Sequence, residues 1–329
     1  MRRLLLLLLL LPLPLVCQVK ILMPVVVKDA QGRPGTDLKL SDFQVSGPKN
    51  VSVDRMWLVP PQTVSERDTR TPVLVLYDAA NAEVSDPELR TKWLLWFLGM
   101  VAQDRLPVTF YINEADGLHL IYDPATPPEV LSAALALRKK PKATTTDPKV
   151  EEEAETLSLL STVSPVRNFP YPFYSAANQM HSLIAVAHLL QQSDTRKAVI
   201  WLADPVRVPE ELTGDNSRSL YEAGIEELNA AHVSVYPDVI GHYVGSYPQL
   251  PLAKDTGGLS FNGLSNPLPA TLSDFGSYYM LAVAVPTPRD LRWIPTKIKV
   301  NRHGLKVRAA PGFYGLKPLK TPKSQATRP

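Results

Sequence analysis

Two aspartates close apolar runs in this chain. VLVLY (73–77) climbs to Asp78, and AVIWLA (198–203) climbs to Asp204. Such runs, bounded by polar residues, read as strands buried on both faces of a sheet. Ligands of open α/β sheets bind outside the carboxyl ends of the strands, so both carboxylates fall on one rim. Paired carboxylates there suit a hard divalent cation, which takes oxygen ligands. With an insertion residue beside them, the same two acids around an ion would serve a metal-assisted hydrolase, the rival chemistry.

Other constellations point less far. No glycine-rich loop follows the first buried run, so a phosphate or dinucleotide cradle is absent where the motif needs it. GLSFN (258–262) lacks the second glycine of a nucleophile elbow and a strand before it. No HExxH occurs, and His181 and His188 stand two helical turns apart, too far for joint ligation. DTGG (255–258) reads as the C-terminal cap of a short helix. NFPYPFY (168–174) gathers Tyr171, Phe173 and Tyr174, aromatics of the kind enriched at interface hot spots, and these are the candidate partner-binding residues.

The elements that must position these residues alternate. KILMPVVVKD, DFQVSG and VSVDRMWLVP are short strand candidates within residues 20–60, before the polar linker PPQTVSERDTR (60–70). VLVLYD, LPVTFYI (106–112) and LHLIYD (118–123) follow as strands, with a helix between the first two that opens on Ser85 and Glu88 as a capping box. TPPEVLSAALALRKK reads as a helix with Pro127 and Pro128 in its first turn. Helices are expected over 175–192, 219–232 and 250–258. Strands are expected over 198–204, 233–239 and 278–285, with a hairpin turning at His303-Gly304 over 297–310. Strands alternating with helices predict a three-layer, doubly wound, mainly parallel sheet in which YYMLAVAV (278–285) is the last buried strand, plus a small β region from the two chain ends. The expected boundaries are an N-terminal β region at 18–60, an α/β domain at 71–286 with an insertion at 139–174, a hairpin at 295–315 packing with the N-terminal region, and a disordered basic tail at 316–329.

In order and spacing, several segments resemble the von Willebrand factor type A (VWFA) domain, and more closely the acidobacterial VWFA-related family of exported proteins. They are MPVVVKDAQGRP (23–34), LKLSDFQV (38–45), VLVLYDAANA (73–82), RKAVIWLAD (196–204), VSVYPDVIG (233–241), LAKDTGGLSF (252–261), SYYMLAVAVP (277–286) and KIKVNRHGLKVRAAPGFYG (297–315). The resemblance implies a metal-ion-dependent adhesion site of the form Asp-x-Ser-x-Ser, completed by a Thr and an Asp from later loops. Asp78 matches the first Asp and Asp204 the last. Thr144, Thr145 and Thr146 are the candidates for the Thr. The two serine positions are Ala80 and Ala82. Neither can ligate, so the site reads as degenerate: no cofactor is expected, and Mg2+ is the ion an intact version would take.

Composition sets the compartment. Met1-Arg2-Arg3 followed by LLLLLLLLPLPLV has the positive start and short apolar core of a secretory signal peptide, expected to span 1–17. Cleavage after Cys17 leaves Gln18 first; alternatively Cys17 carries a lipid. The protein is expected in the periplasm or outside the cell. With one cysteine in 329 residues it has no disulfide to lean on, so its core must hold it alone. Without Arg2 and Arg3, 33 basic residues face 32 acidic ones, a balance that points away from nucleic acid. The sequence therefore predicts a non-enzymatic, exported adhesion or protein-interaction module with an unknown envelope partner and no membrane span after signal cleavage.

Overall fold

The computed structural model describes residues 18–47, 51–60, 73–79, 107–114, 117–124, 177–191, 194–203, 215–239, 249–261, 266–286 and 293–314, together with Phe97, Gly99, Met100 and Glu129. Residues 1–17, the 139–174 insertion, the 316–329 tail and the helices expected near 86–100 and 126–140 lie wholly or largely outside the described residues.

Four apolar runs form a parallel core. β4 (Val73–Asp78), β5 (Val108–Glu114), β7 (Lys197–Ala203) and β8 (Val233–Val239) lie in the order β5-β4-β7-β8, and β6 (Gly117–Tyr122) joins β5 antiparallel at the edge. β4 and β7 are buried at every position, because neighbours flank both edges and side chains cover both faces. One face packs Leu74, Leu76, Val199 and Trp201 against Leu183 and Val186 of α1 (Ala177–Leu190) and Ile225 and Leu228 of α2 (Asp215–Ala230). The other face gathers Val75, Phe110 and Ile200 around Phe97, Leu268 and Phe275.

A second sheet is antiparallel, in the order β12-β1-β9-β3, built from β1 (Gln18–Lys28), β3 (Ser52–Val59), β9 (Tyr278–Pro286) and β12 (Lys306–Arg308). Odd positions of β1 (Met23, Val25, Val27) and of β9 (Tyr279, Leu281, Val283, Val285) fill its core, the period-2 pattern of a pleated strand. Against that face lie two short pairs. β2 (Phe43–Ser46) binds β11 (Lys297–Val300), and β10 (Trp293–Pro295) binds β13 (Gly312–Tyr314). The arms flanking His303-Gly304 therefore separate, β11 going to β2 and β12 to β1.

This overturns the expected three-layer, doubly wound, mainly parallel fold. Among the described residues strand makes up 47% and helix 28%, with mixed sheets. Of the nine strand pairings among the described residues, three are parallel. The decisive strand is β9. It was expected to continue the parallel sheet, but it runs between β1 and β3, antiparallel to both, from Gln18↔Pro286 to Val59↔Tyr278. An apolar run reports burial on both faces; it does not report direction or partner.

The remaining helices, α3 (Gln249–Asp255) and α4 (Pro267–Asp274), close the fold. α3 ends in a Schellman cap, in which Gly258 N–H donates to the Ala253 carbonyl at 2.7 Å and Gly257 N–H to that of Lys254 at 3.1 Å. Gly257 has φ +74°, and a Cβ on Gly258 would meet the Val235 carbonyl oxygen at 1.8 Å, so both positions require glycine.

Candidate functional site at the carboxyl edge of the parallel sheet

Asp78 is the last residue of β4, and Asn113 faces it in register on β5. Neighbours in a parallel ladder project to the same face, here the α1 side. Asn113 Nδ2 donates to Asp78 Oδ1 at 2.7 Å and to Ser182 Oγ of α1 at 3.0 Å. All three side chains are buried, Asp78 at 1% exposure and the others at 0%. Asn113 Oδ1 is buried without a hydrogen-bond partner. The amide thus clamps two strands and a helix around one carboxylate. Sequence reading found Asp78 but missed Asn113 and Ser182. The available signal was Asn113 itself, a polar residue ending the apolar run of β5 just as Asp78 ends β4.

Nothing further of the expected site falls within the described residues. Asp204, Ala80 and Ala82, the threonines 144–146, and Tyr171, Phe173 and Tyr174 lie outside the described residues. Asp238, also 1% exposed, is the penultimate residue of β8, in register with Leu202. Two residues before it, Tyr236 packs into the cluster opposite α1, so Asp238 faces away from Asp78. His181 and His188 ride on α1, and His188 Nε2 pairs with Glu227 Oε2 of α2 at 3.2 Å, an exposed contact between helices.

The described part of this edge offers a Mg2+ ion few ligands. Among the described residues no group of three His, Cys, Asp or Glu side chains converges. On the α1 face the described edge offers the Asp78 carboxylate, whose Oδ1 already accepts from an amide, where Mg2+ wants near-octahedral oxygen ligation.

A second polar cluster, unforeseen in the sequence, ties the two sheets together. Asp274 at the end of α4 is 1% exposed and accepts from Lys28 Nζ of β1 at 2.6 Å, from Tyr236 Oη of β8 at 2.6 Å, and from Arg308 Nη2 of β12. Arg196, just before β7, donates to the Asp274 carbonyl at 3.2 Å and to Tyr236 Oη at 2.7 Å, and its guanidinium lies 4.7 Å from the Phe275 ring centroid. Two cations, Lys28 and Arg308, thus pair with the carboxylate, and Arg196 reaches the same residue through its backbone carbonyl. Burial, then the guanidiniums of Arg308 and Arg196, pull Lys28 down to about 8. Lone charged residues at the ends of strands gave no pattern to connect them, because their meeting depends on how the two sheets dock.

No family model matches the chain, and no curated protein matches it. Among solved structures, 54 chains match. One is the human COPII-coat protein Sec24c, at 9% identity and a TM-score of 0.34, over 80% of this chain and 46% of that one. The chain spans under half of that protein's length, and a likeness at that score carries no argument.

Proposed function

We propose that this chain is an exported, non-enzymatic module that binds another protein through its surface, and that it is kin to the VWFA-related exported proteins its segments resemble. The observation carrying this reading is the sealed Asp78–Asn113–Ser182 cluster. The acid placed where such sheets hold ligands is fastened inside the fold by an amide, and functions there as a strut. Contact with a partner then falls to exposed side chains. The Arg2-Arg3 start and the leucine run support export. Among the described residues no helix is long and apolar enough to cross a membrane.

The test is partner capture from the native envelope fraction, run with and without EDTA and with Asp78→Asn. Capture should persist under both. A hydrolase screen with added Mg2+ runs beside it. Turnover that Asp78→Asn abolishes, or capture that EDTA abolishes, would show that a metal-dependent site works at this edge and would overturn the reading.

A further inference from the structure

The two arms of the C-terminal hairpin part, and a cleft opens where they do. β11 leaves toward β2 and β12 toward β1, and residues of both line an open cavity of about 910 Å3. The segment after α3 supplies another wall through Gly258, Leu259 and Ser260. Lys254 from α3 and Lys297 from β11 stand exposed on its lining, and Arg308 reaches it from β12. No aspartate or glutamate is among the described lining residues.

The charge does not stop at the wall. Arg308 belongs also to the cluster behind it, where Lys28 and Arg308 share the carboxylate of Asp274 and Arg196 donates to the Asp274 backbone carbonyl. Arg308 Nε is buried there without a hydrogen-bond partner. A surplus of cations behind a low-dielectric wall focuses a positive field into the opening and concentrates anions there. The lining also holds apolar side chains, Leu259 at 37% exposure and the partly buried Ile298. The volume lies toward the top of the range for ligand sites, roughly 300–1,000 Å3, far more than one small anion fills.

We propose that this cleft binds an extended acidic segment of a partner protein, its carboxylates on Lys254, Lys297 and Arg308 and its aliphatic side chains against Leu259 and Ile298. The inference rests on the protein-binding reading above and names the chemistry of the partner. A nucleic acid fits less well, because it has no aliphatic side chains for Leu259 and Ile298, and the whole chain carries a net charge of only +3.

Fluorescence anisotropy with a labelled peptide of alternating glutamate and leucine tests it. The peptide should bind, more weakly as salt rises, while a lysine–leucine peptide of equal length should not. Charge reversal by Lys254→Glu with Lys297→Glu should weaken binding by about tenfold or more. Lys254→Ala with Lys297→Ala should weaken it less, and an unchanged unfolding midpoint in both variants excludes loss of fold as the cause. Wild-type affinity in the charge-reversed protein would overturn the proposal. So would displacement of the peptide by inorganic phosphate or an oligonucleotide as readily as by unlabelled peptide. Failure of the peptide arm alone sinks the cleft and leaves the wider reading standing; Asp78-dependent hydrolytic turnover sinks the wider reading whatever the peptide does.

Discussion

Asn113 donates its side-chain amide to Asp78 Oδ1 at 2.7 Å, across a pair that the β4–β5 ladder holds in register. The contact explains how a carboxylate can sit at 1% exposure at the end of a strand. An ionised group withdrawn from water needs directed donors, and a neutral amide supplies one without adding a second charge to bury.

Replacing Asn113 with aspartate should therefore be far worse than its size suggests. Two carboxylates would face each other in a buried site, costing on the order of 3 kcal/mol at neutral pH. One of the pair would have its folded-state pKa raised, so the penalty applies above that pKa and shrinks as the solution is acidified and one proton binds. Urea unfolding of the variant and the wild type at pH 7 and pH 5 checks this. An equal deficit at both values would mean the two side chains are not coupled.

Asp274→Asn should destabilise the fold by roughly 3–5 kcal/mol, because it leaves the half-buried Lys28 and Arg308, with buried Arg196 close by, around a neutral side chain. Adding Lys28→Met should return part of that loss, since it removes one of the uncompensated cations. A double-mutant cycle from chemical denaturation measures the coupling. Strict additivity would show that Lys28 and Asp274 act independently.

His232 gives the fold an acid-sensitive point. Burial first, and then the neighbouring Lys197, pull its imidazole down to about 4. The unfolded chain, with a histidine near 6.5, binds the proton first. Stability from this group is therefore whole above about pH 6.5 and is lost as pH falls toward 4, by on the order of 3 kcal/mol at the limit. His232 also has φ 56°, a left-handed conformation that asparagine tolerates. His232→Asn should flatten the stability profile between pH 6.5 and 4 while retaining the fold; an unchanged slope would place the acid sensitivity elsewhere.

Gly258→Ala should cost about 3 kcal/mol or more, since its Cβ would fall 1.8 Å from the Val235 carbonyl oxygen and only backbone movement relieves the overlap. Gly32→Ala offers the contrast. Unlike Gly258 it has a positive φ, and nothing lies within 4 Å of the added methyl, so about 1 kcal/mol of backbone strain is expected. Thermal unfolding of the two variants should separate steric overlap from conformational strain.

Local features were the legible part of this chain. Strand-ending Asp78 and the glycine cap after α3 are written in a few adjacent residues, and DTGG gave the cap without any tertiary information. What failed was assembly. β4 and β9 look alike as sequence, VLVLYD and YYMLAVAVP, yet one enters a parallel sheet and the other an antiparallel one. The side chains of both are buried on two faces, and pairing direction is set by partners distant in the chain. The polar clusters failed for the same reason. Asn113 meets Ser182 only because β5 and α1 pack side by side, and Arg308 meets Asp274 only because the two sheets dock.

β9 separates β1 from β3, although both precede it by more than two hundred residues of chain. In a chain synthesised N-terminus first, β1 and β3 emerge while the strand that must lie between them is still to be made. Until it comes, they present apolar edges and no ladder, a liability for misassociation. Each strand then waits on the same late guest. The antiparallel sheet is in this sense a seal fitted last: a product broken off before Tyr278 keeps β1 and β3 but loses the strand that joins them, and is left open to proteolysis.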